Sequence, residues 1–397
     1  MTAPAAQVHT QPAPARKGRG RALAEGLLVL AITGALLLGL LEIGLRLFAP
    51  QIVPPLGGLF IADPATAYRL KPDVRVPFRF AEGSPVFITN NQGLREDHPI
   101  GPPTAGHPRL LNIGDSFTFG MGVNAAQAFP HLLDGLPVGG DRVESLNAGV
   151  FGYGTDNEAA WLHTYGWPLQ PRLVVVGFFV GNDVKDTMLG MDKTTVDAAG
   201  RLIATDKSKQ AMQGADGADL DPATGGGGIK GWLETNSHAY LFLRNFWTAL
   251  RPVKPRAPTV FDAASFFLTP APPAITTGWT ETLGVLDGIQ ADVLAHNARL
   301  LVVAIPTREQ VQDRSWGAMQ AQFGLSAAQV QRDLPQQKLA AWATRTGTPL
   351  LDLLPAFRAA GQGQALYFRT DRHWTAAGHA LAAAEITAYL AQHNLVK

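Results

Sequence analysis

Gly114-Asp115-Ser116 is the first place in the sequence where a reactive side chain meets a position that favours chemistry. The apolar run Arg109–Ile113 ends there and a helical pattern follows, so Ser116 falls at the carboxyl edge of a buried strand, beside the backbone N–H groups of a helical turn. Taken alone, the tripeptide also fits an ordinary capped turn. Three more stretches give it weight. Asn147-Ala148-Gly149-Val150-Phe151-Gly152-Tyr153-Gly154-Thr155 is a glycine-rich loop able to turn a backbone N–H toward an oxyanion, and Gly181-Asn182-Asp183 supplies a side-chain amide. Thr370-Asp371-Arg372-His373-Trp374 supplies a carboxylate and an imidazole. Attack by a serine needs a base, a group that orients the base, and preorganised donors for the tetrahedral oxyanion. Each of the four blocks directly follows a predicted strand, so all can converge on one sheet edge.

Five short apolar runs must carry them: Arg109–Ile113, Val143–Asn147, Leu173–Val180, Leu300–Ile305 and Pro349–Leu353. Helical patterns separate them at Ala125–Leu133, Thr155–Tyr165, Trp279–His296 and Gln331–Thr346, and a last one runs over Thr375–His393. Such alternation predicts an α/β fold, three layers in α/β/α order around a five-stranded, mostly parallel sheet.

The blocks and their order resemble the SGNH hydrolases, also called the GDSL family. The resemblance spans residues 107 to 395 apart from an insert. It implies Ser116 as nucleophile, His373 as general base and then acid, and Asp371 as the carboxylate that fixes the imidazole. It also implies an oxyanion hole made by the Ser116 N–H, the Gly152 N–H and the Asn182 amide. Two departures stand out. Phe117 replaces the usual leucine after the serine, and His373 lies two residues after Asp371 instead of three. In these respects the site is similar to exopolysaccharide-acetylating proteins such as those acting on alginate, although the serine-first order is that of ordinary SGNH esterases. Hydrolysis and acyl transfer therefore both stay open. The α/β-hydrolase elbow fits less well, because it needs glycine where Thr118 stands.

Composition narrows the alternatives. With no cysteine among 397 residues, thiolate metal sites, disulfide scaffolds and cysteine nucleophiles are excluded. The ten histidines show no His-Glu-x-x-His spacing and the glycine stretches match no phosphate or dinucleotide fingerprint, so neither metal nor cofactor is expected. A formal charge of +1 offers no field for nucleic acid. His379 reads as structural, Asp183 either as a brace of the site or as a solvated acid, and Arg372 as facing an anionic glycan or simply exposed.

Four stretches complete the expected organisation. Residues 1–22 form a basic tail carrying Arg16, Lys17, Arg19 and Arg21, and residues 23–48 a transmembrane helix. The 26 residues would span roughly 39 Å, enough for a bilayer. A cleaved signal peptide shares the basic start, but its apolar core is shorter and a small-x-small site follows it. The positive-inside rule puts the tail in the cytoplasm, making the chain a single-pass protein of the inner membrane whose remainder lies on the periplasmic side. Residues 49–106 are a β-rich lead-in, with Val74, Val76, Phe78 and Phe80 alternating against Arg75, Pro77 and Arg79, and with Val86–Thr89 as partner strand. Residues 107–397 are the catalytic domain, interrupted by an insert at about 187–278. Within it Gly214–Gly231 and Arg251–Pro273 read as loops. The aromatic helix candidate between them, Trp232 to Trp247, reads as core or lid packing ahead of a sugar-stacking platform.

Together these features lead to the expectation of a membrane-anchored extracytoplasmic serine esterase that removes a small acyl group, O-acetyl above all, from cell-envelope carbohydrate. The alternatives are an O-acyltransferase using the same residues, or a non-catalytic envelope binding module.

Overall fold

The computed structural model describes residues 19–51, 56–80, 82–138, 140–213, 228–250, 255–361 and 363–396. It divides into two compact units, Met1–Pro50 and Gln51–Lys397. Among the described residues the first contains one helix, Arg19–Phe48, in which Leu23–Phe48 is long and apolar enough to cross a membrane. It begins inside the stretch expected to be tail. Arg46 Nε donates to Glu42 Oε1 at 2.6 Å, the i,i+4 pair anticipated near its end.

The second unit is built on one sheet of five strands: β1 (Arg109–Gly114), β2 (Glu144–Asn147), β3 (Leu173–Phe179), β4 (Arg299–Ile305) and β5 (Leu350–Asp352). Their order is β5-β4-β3-β1-β2 and every pairing is parallel. The sequence shows why. Leu173-Val174-Val175-Val176 and Leu301-Val302-Val303-Ala304 are apolar on both faces, as a strand covered on both sides must be. Alternate residues feed two cores. Val174, Val176, Val302 and Ala304 pack with Trp279, Leu286, Ile289 and Val293 of the helix Pro273–Ala295. Val175, Leu301, Val303 and Ile305 pack with Phe129, Phe357, Ile386 and Leu390 on the other face. The predicted three layers are therefore present. Strand order reverses between β1 and β3, and in open parallel sheets ligands bind in the crevice at such a point.

Outside the sheet, Arg75–Pro77 pairs antiparallel with Val86–Ile88 as anticipated, and a second hairpin, Phe60–Asp63 with Ala67–Leu70, lies ahead of it. In the insert, the helix Gly228–Asn236 starts within the stretch expected to be loop, and residues 214–227 lie outside the described residues. A 3-10 turn at Ala263–Phe267 interrupts the second predicted loop, of which residues 251–254 are likewise not described. The aromatic stretch is helical over His238–Leu250, but its rings are not core: Trp232, Phe246 and Trp247 are exposed. Apolar residues at helical spacing gave the correct element and the wrong burial.

His379 packs in the interior of the helix Ala376–His393, stacked on Phe129 and edge-on to Trp374, with Nδ1 accepting from the Phe129 N–H at 3.3 Å. Burial, and secondarily the charge of His373, push its pKa down to about 3. A depressed histidine pKa means that the unfolded chain binds the proton more readily. Stability is thus fully present above pH 6.5 and is lost as pH falls toward 3. The expected loss is roughly 5 kcal/mol. Urea midpoints measured between pH 7 and pH 4 should fall more steeply for the wild type than for His379→Gln, and parallel slopes would contradict this assignment.

Candidate active site

β1 ends at Gly114, and Ser116 opens a four-residue helical turn, Ser116–Phe119. The cap of that turn is Asp115, whose Oδ1 accepts from the Phe117 N–H at 2.8 Å. Asp115 Oδ2 accepts from the Asn182 side-chain amide at 3.1 Å, which ties the end of β3 to the serine turn. One amide hydrogen of Asn182 is used in this way and the second remains available. The glycine loop closes on the same turn. The Val150 N–H donates to the Gly114 carbonyl at 2.9 Å, and a Cβ at Gly149 would lie 2.3 Å from the Phe119 nitrogen. Gly152 adopts φ +79°, a conformation that favours glycine.

The fourth block, expected directly after a strand, instead follows β5 and the helix Leu354–Ala360. A bridge between Tyr367 and Trp374, with the Phe368 N–H donating to the His373 carbonyl at 2.8 Å, folds it into a narrow loop. Arg372 sits at its tip with φ +70°. This left-handed residue is what makes a two-residue spacing workable: Asp371 Oδ1 accepts both the His373 backbone N–H at 3.1 Å and Nδ1–H at 2.5 Å. The carboxylate thereby fixes the tautomer, and the bare Nε2 accepts from Ser116 Oγ at 2.8 Å. Phe117, the departure from leucine, stacks obliquely on the His373 ring at 4.9 Å and meets Trp374 edge-on at 5.2 Å. A leucine would offer no aromatic face at this position.

Ser116, Gly152, Asn182, Asp371 and His373 all line one cavity of about 300 Å³, so the five residues expected to carry the chemistry come together, while Asp183 and His379 do not line it. Phe151, Phe179, Leu189 and Met212 provide apolar walls. A second cavity of about 490 Å³ shares Arg308, Glu309 and Arg372 with the first and adds Arg314 and Arg369. Among the described residues no cluster suited to a metal ion occurs.

The acids around the site divide sharply. For Asp371 burial works upward, but the His373 charge, its Nδ1–H bond and its backbone N–H prevail and hold the carboxyl below the usual range. For Asp115 burial wins and the pKa is pushed up to about 6. Glu158 and Asp183, both fully buried behind the cavity, are pushed well up by burial first and by neighbouring carboxyls second. Asp183 is therefore no solvated acid; its Oδ2 accepts from the Phe179 N–H at 3.0 Å and ties off the end of β3. Divergent environments of this kind mark Asp371 as the acid suited to hold an imidazolium.

Two contributors escape the sequence reading. Glu82, in the lead-in, accepts from the N–H groups of Arg369 and Thr370, both at 2.9 Å, and from the Thr370 hydroxyl. It clamps the loop that carries Asp371 and His373. Arg95, fully buried, stacks over Phe87 and Phe119 and donates to the Val123 carbonyl at 3.1 Å, joining the lead-in to the end of the serine turn. Only chain alternation marked this region as structured, and nothing local ties Glu82 to residue 370. A hydroxyl bonded to a carboxylate-held imidazole can give up its proton on attacking an acyl carbon, and hydrogen-bond donors beside it can stabilise the oxygen that gains charge.

Residues 269–397 match a family described as SGNH hydrolase-like domain, acetyltransferase AlgX. No curated protein matches the chain. Among solved structures, a catalytic variant of the acetylxylan esterase Axe2 from Geobacillus stearothermophilus is 12% identical, covering 73% of this chain and 95% of its own, with a TM-score of 0.37. LAE5, an alpha/beta hydrolase enzyme from the metagenome of Lake Arreo, Spain, is 16% identical over 73% of this chain and 97% of its own, with a TM-score of 0.38. TesA is 13% identical over 71% and 97%, with a TM-score of 0.37. Over residues 269–397, which include Asp371 and His373, the chain is similar to an SGNH hydrolase-like domain, and the five-stranded parallel sheet with the serine turn at its reversal point is the architecture which that similarity implies.

Proposed function

We propose that the chain is a membrane-anchored extracytoplasmic serine esterase acting on small acyl esters, O-acetyl groups of cell-envelope carbohydrate above all, through Ser116, His373 and Asp371. The observation that carries the reading is the unbroken relay from Ser116 Oγ to His373 Nε2 and from Nδ1 to Asp371, opening into a cavity that also holds Gly152 and Asn182. Ser116 Oγ attacks the ester carbonyl as its proton passes to Nε2. The Ser116 N–H, the Gly152 N–H and the free Asn182 amide hydrogen receive the oxyanion. His373 returns the proton to the leaving sugar oxygen, and water, deprotonated by the same nitrogen, releases the acid from the acyl-enzyme. The arginine-lined second cavity gives an acylated, negatively charged sugar a place beside the scissile ester.

A second reading, O-acyl transfer, draws support from the acetyltransferase named in the family match, which covers Asp371 and His373. In it a sugar hydroxyl takes the place of water. Incubating the protein with an acyl donor and an envelope glycan, then weighing both products by mass spectrometry, separates the two. Free acid alone favours the esterase and acylated glycan the transferase; neither product would sink both. The apolar helix Leu23–Phe48 and the cations before it support the anchor and its orientation. Protease digestion of residues 51 onward in inverted vesicles, with protection in spheroplasts, would contradict that orientation.

Two variants probe how the acid–histidine loop is held. Arg372→Asn, which tolerates left-handed φ, should keep kcat within about threefold, whereas Arg372→Val should lower it by roughly ten- to a hundredfold. Equal rates for the two would show that the loop does not depend on this conformation. Glu82→Gln, leaving one acceptor oxygen in place of two, should cost about tenfold in kcat and speed amide exchange at Arg369 and Thr370. Unchanged exchange would rule out the clamp.

A further inference from the structure

The helix His238–Leu250 presents a face that the site does not use. Phe242, Phe246 and Leu250 are four residues apart and share one side, with Trp247 beside them. Phe246 is 48% exposed, Leu250 59% and Trp247 61%. The rings of Phe242 and Phe246 stack at 6.2 Å, and Trp247 meets Phe246 edge-on. On the neighbouring helix Gly228–Asn236, Ile229 and Trp232 are exposed as well. None of these residues lines the cavity that holds Ser116, which argues against both a lid and a sugar platform. Lys230 and Arg244 share one carboxylate, Glu234, so cations exceed anions around the patch.

Chain connectivity identifies what meets this face. The Gln51 N–H donates to His238 Nδ1 at 2.8 Å, at the first residue of the aromatic helix. Gln51 is only three residues beyond Phe48, where the apolar helix ends. Three residues span at most about 11 Å. The hydrogen bond and the histidine side chain add roughly 6 Å, so whatever direction the apolar helix takes, the aromatic helix starts within about 17 Å of its end, close to a headgroup layer some 5–7 Å deep. Tryptophan and phenylalanine beside cationic side chains are the composition that settles at this depth. We propose that the Phe242–Phe246–Trp247–Leu250 face rests in the lipid headgroup region and holds the catalytic unit against the bilayer. The proposal rests on the anchor reading given above.

Because the chain has no cysteine, single labels are direct. Full-length Phe246→Cys, Trp247→Cys, Ile43→Cys and Ala384→Cys proteins, each with wild-type melting, would be spin-labelled and reconstituted into phosphatidylcholine–phosphatidylglycerol vesicles. Labels at 246 and 247 should resemble the one at 43, with accessibility to oxygen severalfold above that to a water-soluble nickel chelate, while the label at 384 should show the reverse. If 43 favours oxygen and 246 and 247 favour nickel, the anchor stands and the proposal falls. Dipolar broadening at 246 would mean that a second copy covers the face, which also overturns the proposal. A label at 43 that favours nickel removes the anchor and this proposal together.

Discussion

Ser116→Ala lowers ester turnover by roughly four to six orders of magnitude while leaving substrate affinity nearly unchanged. The reason is local. Ser116 Oγ is the atom bonded to His373 Nε2, and alanine removes the nucleophile while keeping the buried turn, whose cap is the neighbouring Asp115. His373→Ala should cost about as much, and the double variant little more, because residues that act as one relay are strongly non-additive. Initial rates on a chromogenic acetyl ester, with binding followed by titration calorimetry on an unreactive ether analogue, check both parts. A serine variant that kept wild-type turnover would move the chemistry elsewhere.

Gly149→Ala should be nearly as damaging by a different route. The added methyl would lie 2.3 Å from the Phe119 nitrogen and 2.6 Å from the Thr118 carbonyl carbon. Both are backbone atoms of the serine turn, so no side chain can swing aside. Either the glycine loop retreats, taking Gly152 with it, or the turn moves and Ser116 leaves His373. The expected result is a loss of at least about a hundredfold in kcat together with roughly 2–4 kcal/mol of stability. Gly284→Ala, where nothing lies within 4 Å of the new methyl, is the matched control and should be neutral or slightly stabilising. Chemical denaturation and steady-state rates on the two variants decide the matter. A Gly149→Ala protein as active and stable as the control would mean that the loop does not pack on the nucleophile turn in solution.

The sheet was legible because its strands are unusual. A strand buried on both faces cannot alternate polar with apolar residues, so Leu173–Phe179 and Arg299–Ile305 are almost continuously apolar, and the runs are broken by Gly181 and by Pro306 respectively. Ser116, Gly152 and Asn182 were legible for the same reason, since each stands just beyond a strand or in the loop that follows, whereas Asp371 and His373 come only after a further helix, Leu354–Ala360. What stayed hidden depends on contacts distant in sequence. Glu82 reaches residues 369 and 370 across the fold, and Tyr68 donates to the Phe151 carbonyl at 3.1 Å, bracing the glycine loop from the lead-in. No spacing rule encodes either contact. Asp115 was visible only as the middle of a tripeptide, while its role as cap and tie to Asn182 needed coordinates. The aromatic helix fell between these cases. Its period was readable, but apolar residues at helical spacing do not distinguish a core face from a face turned outward.

The central claim, a competent nucleophile at Ser116 held by His373 and Asp371, is tested most directly by reaction with a fluorophosphonate followed by peptide mass spectrometry. A single adduct on the peptide containing Ser116 in the wild type, absent from Ser116→Ala and much slowed in Asp371→Asn, is the predicted result. An unlabelled wild-type protein, or an adduct on another residue, would contradict it.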